Sequence, residues 1–312
     1  MTRQIALLPS RHRRPTRAEA AMSDDLARET MNEVIAGMSH RRSRGRAMPA
    51  VRRAAPLVLA AFLAGCATAG SLVFPSEPKS GTVFHSFIEP DGPGPFPAVV
   101  LLHTCGGVGR HMPGWAARLR SIGYASVIVD SFTPRGGTAC SIPTYFPATL
   151  DQVTEDAFAA LAWLRGRSDI DPERIGVMGF SYGASATLRT SSARYRKNAP
   201  GGGFRAAASY YPLCVNPRPD WPAAAQERSN NLFDDIATPT LILMGADDTD
   251  TPNVAQNCAG KVAQLARQGR PIAIHMYPNA DHVFDVRQPV AAAKAFEDLQ
   301  AFFARHLGRA AR

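Results

Sequence analysis

The chain has 312 residues, enough for one large domain or two small ones, and carries 35 Lys+Arg against 26 Asp+Glu, a formal charge of +9. The charge is uneven: residues 1–47 hold ten Arg against five acids, Arg52 and Arg53 follow, and residues 66–312 hold 23 bases against 21 acids. A nearly neutral main segment excludes a basic nucleic-acid face on it, and an apolar content of 45% excludes global disorder.

In chain order, residues 1–47, with the run Arg41-Arg42-Ser-Arg44-Gly-Arg46, read as a disordered extension or as sequence upstream of a true start at Met48. Residues 48–65 read as an export signal: Arg52-Arg53, then an uncharged run from Ala54 to Ala64, then Leu63-Ala64-Gly65-Cys66. The run falls short of the about 20 residues that a transmembrane helix needs. Leu-Ala-Gly-Cys resembles a bacterial lipobox, which implies lipidation of Cys66 and a membrane anchor on the periplasmic side. Ala67 in place of Asp implies the outer membrane. An uncleaved anchor is the alternative. Residues 66–80 read as a tether, and 81–312 as one domain. The Pro- and Gly-rich stretch from Ser71 to Pro97 leads into an expected antiparallel hairpin.

The domain alternates strands and helices. Pro97–Leu102 and Tyr124–Val129 are short apolar runs suited to strands buried on both faces. Between them, 113–122 suits a helix with Trp115, Leu119 and Ile122 on one side. Val153, Phe158, Leu161 and Leu164 give Asp151–Arg167 a helical period. Asp171 to Gly179 reads as a turn and a strand, and a helix follows from Tyr182 to about Ser192. Further strands are expected at Ala206–Tyr210, Thr240–Met244 and Ile272–Tyr277, with helices at 253–268 and 289–307. This alternation predicts an α/β fold, a mostly parallel sheet covered on both faces.

Gly179-Phe-Ser181-Tyr-Gly183 stands between an expected strand and helix, the context of a nucleophile elbow. Glycines two residues either side permit the tight turn that lifts the Ser hydroxyl above the sheet. A backbone N–H at the following helix start then faces a developing oxyanion. Such a Ser needs a base and an orienting acid, in the chain order Ser, acid, His. Three His follow Ser181. His275 lies inside a strand and His306 near the end of the last helix, so His282, in the loop after a strand, is the candidate base. Gly245-Ala-Asp-Asp-Thr-Asp-Thr-Pro252 offers Asp247, Asp248 and Asp250 as the acid, and spacing alone does not choose among them. His103-Thr-Cys105-Gly-Gly107, after the Leu101–Leu102 strand, suits a second oxyanion donor because its glycines allow close backbone approach.

Leu101-Leu-His-Thr-Cys-Gly-Gly107, Asp130-Ser-Phe-Thr-Pro-Arg-Gly136, Arg174-Ile-Gly-Val-Met-Gly-Phe-Ser181, Met244-Gly-Ala-Asp-Asp248 and Asp281-His-Val-Phe284 together resemble the dienelactone hydrolase family of the α/β-hydrolase fold. The resemblance spans Pro97 to His306. It implies Asp248 as the acid, three residues after Gly245 and four before Pro252, and His282 as the base. It implies oxyanion donation by the backbone N–H groups of Cys105 and Tyr182. The enzyme that names the family uses a Cys nucleophile where this chain has Ser181, which suits broader ester hydrolysis.

Ligands of open parallel sheets bind at the carboxyl ends of the strands. Cys105, Cys140, Cys214 and Cys258 all fall in segments expected there. Four Cys allow three connectivities, and neighbouring strand ends favour Cys105–Cys140 and Cys214–Cys258, with free thiols as the alternative. Neither Cys-x-x-Cys nor His-x-x-x-His occurs, so no metal site or cofactor is expected. Arg135 is a candidate for holding a substrate carboxylate, with a structurally paired Arg as the alternative. Tyr145 and Phe146 are candidates for one pocket wall, and Tyr211 and Trp221 for the other, with core or surface packing of the latter two as the equal alternative. The expectation is a serine esterase or lactonase acting on small molecules at an open, shallow site. A serine peptidase and a non-catalytic binding lipoprotein are the alternatives.

Overall fold

The computed structural model describes residues 83–141, 145–214, 233–249 and 254–308. The expected leader, Cys66, the tether, Trp221 and Asp250 lie outside the described residues.

Seven strands form one sheet: β1 (Val83–Ile88), β2 (Phe96–Leu102), β3 (Ala125–Asp130), β4 (Ile170–Phe180), β5 (Ala206–Tyr210), β6 (Thr240–Gly245) and β7 (Ile272–Tyr277), in the order β1-β3-β2-β4-β5-β6-β7. From β3 to β7 every neighbouring pair is parallel. β1 is antiparallel, but its partner is β3, with Val83 opposite Asp130. The expected hairpin with the following strand is therefore not formed. β2 is flanked on both sides by parallel strands, which leaves β1 only the free edge of β3.

Side chains alternate across the sheet, and the inner strands β2, β3, β5 and β6 bury both sets. Val99, Leu101, Met178 and Phe180 share one core with Met112, Trp115 and Leu119 of α1 (His111–Ser121) and Leu299 and Phe303 of α7 (Pro289–His306). Cys258, Val262 and Leu265 of α5 (Val254–Arg267) join them. Val100, Leu102, Val127, Val129 and Val177 share the opposite core with Val153, Ala157, Leu161 and Leu164 of α2 (Leu150–Arg165). A capping box starts α2: Gln152 N–H donates to Thr149 Oγ1 at 3.2 Å, and Thr149 N–H donates to Gln152 Oε1 at 2.9 Å. Behind the elbow lie α3 (Tyr182–Ser191) and the short α4 (Ala193–Arg196); the short α6 (Phe284–Arg287) follows β7. Among the described residues no helix is long and apolar enough to cross a membrane.

Candidate active site

Ser181 stands between β4 and α3 with φ +50° and ψ −110°, outside the ordinary regions for a residue with a side chain. Two glycines make the turn possible. A Cβ on Gly183 would come within 2.5 Å of both the Leu102 and the His103 carbonyl oxygens, and one on Gly179 would collide with the Gly183 carbonyl. The turn is held in place because Ser181 N–H donates to Tyr210 O at 3.0 Å and Gly183 N–H donates to His103 O at 3.1 Å. Strain of this kind persists only where the surroundings over-determine it.

His282 Nε2 lies 3.0 Å from Ser181 Oγ, across 101 residues of sequence, and His282 Nδ1 lies 2.8 Å from Asp248 Oδ2. The three side chains come from the ends of β4, β6 and β7. Asp248 is buried, whereas Asp247 is exposed, so burial separates the two described acids. The other two histidines are elsewhere: His275 pairs with Asp298 at 3.0 Å on the surface, and His306 packs at a tilt against Phe302.

The loop after β2 approaches the elbow through the Gly183–His103 bond. Tyr182 opens α3, so its N–H has no intrahelical acceptor. Among the described residues neither Tyr182 N–H nor Cys105 N–H has a hydrogen-bond partner. His103 is buried. Its Nδ1 donates to Thr104 O at 2.7 Å, and its Nε2 accepts from Ser131 N–H at 3.3 Å. Burial holds its pKa below the ordinary value, so the neutral imidazole suits both contacts. The Tyr182 hydroxyl donates to Ala148 O at 2.8 Å, and its ring stacks on Phe146. Tyr145 is exposed.

Both expected disulfides are formed. Cys105–Cys140 joins the loop after β2 to the one after β3, and Cys214–Cys258 joins the segment after β5 to α5. Cys140 N–H also donates to Cys105 O at 2.8 Å, so backbone and sulfur together fix the loop that carries Cys105.

Two expectations about the pocket wall are corrected. Arg135 does not offer its guanidinium to a substrate. It donates to both carboxylate oxygens of Asp156, at 2.8 and 3.0 Å, and to Ser131 O at 2.6 Å. Asp156 is fully buried on α2, and a buried carboxylate needs such a partner. Tyr211 is fully buried, and its hydroxyl donates to Asp285 Oδ1 at 2.7 Å, so it is core rather than wall. Asp285, three residues beyond His282, went unnoticed in the sequence. Its other oxygen accepts from Trp115 Nε1 at 2.8 Å. The only available signal was an acid inside the apolar run that follows His282. Among the described residues no group of three or more His, Cys, Asp or Glu is placed to hold a metal ion.

A parallel sheet with a strained Ser between strand and helix, and a His–Asp pair supplied by later strand ends, defines an α/β-hydrolase. The particular family follows from comparison: the model of the Dienelactone hydrolase family matches residues 85–307, and the chain belongs to that family. It is 25% identical over 198 residues to a Methylorubrum extorquens protein designated a carboxymethylenebutenolidase, a match covering 61% of this chain and 64% of that one. A Synechocystis protein with the same designation is 23% identical, with coverage of 70% of this chain and 90% of that one. The fold is similar to that of a Klebsiella pneumoniae structure designated a dienelactone hydrolase (TM-score 0.57, 23% identity, 72% of this chain and 92% of that one). It is also similar to an esterase from Thermogutta terrifontis (TM-score 0.60, 18% identity, 78% of this chain and 94% of that one).

Proposed function

We propose that the protein hydrolyses small carboxylic esters or lactones through an acyl-enzyme on Ser181. The observation that carries this reading is the position of His282, bonded through one ring nitrogen to Ser181 and through the other to buried Asp248. His282 Nε2 takes the hydroxyl proton as Ser181 Oγ attacks the ester carbonyl. Asp248 accepts the Nδ1 proton's hydrogen bond, fixes the tautomer and stabilises the imidazolium. The N–H groups of Cys105 and Tyr182 receive the oxyanion. The imidazolium then protonates the leaving alcohol, and a water activated by the same His releases the acid. With Arg135 committed to Asp156, the reading favours neutral esters over substrates that need a cation for a free carboxylate.

A fluorophosphonate probe with a panel of p-nitrophenyl esters and lactones tests the reading. Labelling at Ser181, hydrolysis of short neutral esters, and loss of both in Ser181→Ala are expected. A chain that binds ligand without catalysis would give neither labelling nor turnover.

The same reading puts the enzyme in the cell envelope as a lipoprotein anchored at Cys66. The signal-like residues 48–65 and two disulfides, which persist in oxidising compartments, support it. Mass spectrometry of the mature N-terminus tests it: a diacylglyceryl-modified Cys66 is expected, and an intact peptide across residues 60–72 would overturn it.

A further inference from the structure

The carboxylate of Asp285 joins three parts of the fold that are distant in sequence. One oxygen accepts from Trp115 Nε1 on α1, 170 residues away, at 2.8 Å. The other accepts from the Tyr211 hydroxyl after β5, at 2.7 Å. Tyr211 in turn sets its ring edge-on against the ring of His282, with centroids 4.8 Å apart. His282 is thus held from several directions: Ser181 and Asp248 lie in line with its nitrogens, and Tyr211 lies against its ring.

The backbone at these residues is under strain. Tyr211 has φ +43°, and Val283, directly after His282, has φ +63°, a value that a β-branched residue seldom adopts. Phe284 is fully buried and packs against Tyr210, Tyr211 and Tyr277. A loop bent in this way relaxes unless something holds it, and the two hydrogen bonds on Asp285 pin the first turn after His282. An imidazole on a loop has freedom about its side-chain torsions. Its two in-line hydrogen bonds leave rotation about the Nδ1–Nε2 direction open, and the Tyr211 ring closes that motion.

We propose that Asp285 and Tyr211 are positioning residues that hold the His282 ring in the plane where Nε2 meets the Ser181 hydroxyl. The proposal rests on the serine mechanism above. It concerns geometry rather than charge. An amide at position 285 can accept from Trp115 Nε1 through its oxygen and donate to the Tyr211 oxygen through its nitrogen, so Asp285→Asn preserves the links while removing the charge.

The experiment compares Tyr211→Phe, Asp285→Ala and Asp285→Asn with the natural chain, using p-nitrophenyl acetate kinetics, thermal unfolding and the downfield NMR resonance of the His282 Nδ1 proton. Tyr211→Phe keeps the ring and removes only the hydroxyl link. It is expected to lower kcat about tenfold with KM within about twofold, and to broaden the Nδ1 resonance. Asp285→Ala is expected to lower kcat at least as far, and Asp285→Asn to recover most of it. If Tyr211→Phe keeps kcat within about twofold of the natural chain while its melting temperature falls, the pair is structural only and the proposal is overturned. If Asp285→Asn loses as much as Asp285→Ala, charge rather than position is at work, which also overturns it. The natural chain is the control: active chain labelled at Ser181 leaves the failure with the positioning proposal alone, whereas unlabelled, inactive chain removes the serine mechanism and the proposal together.

Discussion

The backbone N–H of Gly183 donates to the carbonyl of His103 at 3.1 Å, joining the helix behind the nucleophile to the loop that carries Cys105. The bond requires a backbone approach too close for any Cβ, which would meet two carbonyl oxygens at 2.5 Å. Backbone oxygens do not rotate out of the way, so Gly183→Ala must push α3 and the β2 loop apart. The expected result is a fall of about 100-fold in kcat/KM together with a lower melting temperature. Steady-state kinetics on p-nitrophenyl acetate check it, and near-natural activity would show that the oxyanion donors tolerate the shift.

The Ser–His–Asp arrangement acts as a unit, so its losses do not add. Asp248→Asn is expected to reduce kcat by about 10⁴-fold by favouring the wrong His282 tautomer. Ser181→Ala combined with Asp248→Asn is expected to be no worse than Ser181→Ala alone. Additive losses in the double variant would mean that the two side chains serve separate steps.

The two disulfides differ in exposure. Cys214 and Cys258 are fully buried, whereas Cys105 and Cys140 are half-buried. Mild reductant is expected to open Cys105–Cys140 first, and because Cys105 carries an oxyanion donor, esterase activity falls while the fold persists. Opening Cys214–Cys258 requires denaturant and lowers stability by about 3 kcal/mol. Timed alkylation with peptide mapping, alongside activity and circular dichroism, distinguishes the two events. Simultaneous loss of both bridges would contradict the order.

Acid weakens the fold through His103. Burial lowers its pKa below the ordinary 6.5, so the folded chain resists a proton that the unfolded chain accepts. Stability is complete above that ordinary value and declines as the pH falls toward the folded-state value. Protonation would also set Nε2–H against the Ser131 N–H that it now accepts. Melting temperatures measured from about pH 7 to about pH 5 are expected to fall less steeply in His103→Gln. A residual slope remains from His111, whose pKa burial also lowers. Parallel slopes in the two proteins would remove His103 from the acid response.

Arg135→Met takes the arginine from a fully buried carboxylate and is expected to cost about 3–5 kcal/mol in urea unfolding. Replacing Asp156 by Leu in the same chain is expected to restore most of that. The ratio of activity on neutral and on carboxylate-bearing esters stays unchanged, because the guanidinium does not reach substrate. A selective loss on the acidic ester would return Arg135 to the pocket.

Features set by local sequence were legible before the fold was known. The elbow is a five-residue pattern whose glycines answer a local steric demand, and His282 followed from chain order and from its place after a strand. The choice of Asp248 over Asp247 needed the family resemblance, since neighbouring acids differ in burial and burial depends on the rest of the fold. Pairings across the fold were not legible. Asp285 meets Trp115 from 170 residues away, and no nearby residue signals that contact. Asp156 did leave a trace: it lies three residues after Val153 on the apolar stripe of α2, where an acid implies a buried cation. The mistaken hairpin assumed that strands adjacent in sequence pair, although the partner of β1 arrives only after α1.

The reversed direction of β1 fixes where the chain joins its own domain. Val83 begins β1 beside Asp130, the last residue of β3, at the end of the sheet that carries Ser181, Asp248 and His282. Three strand spacings, about 14 Å, separate that point from β4. The first described residue of the domain thus lies at the end of the sheet that holds the reactive side chains, not at the opposite end.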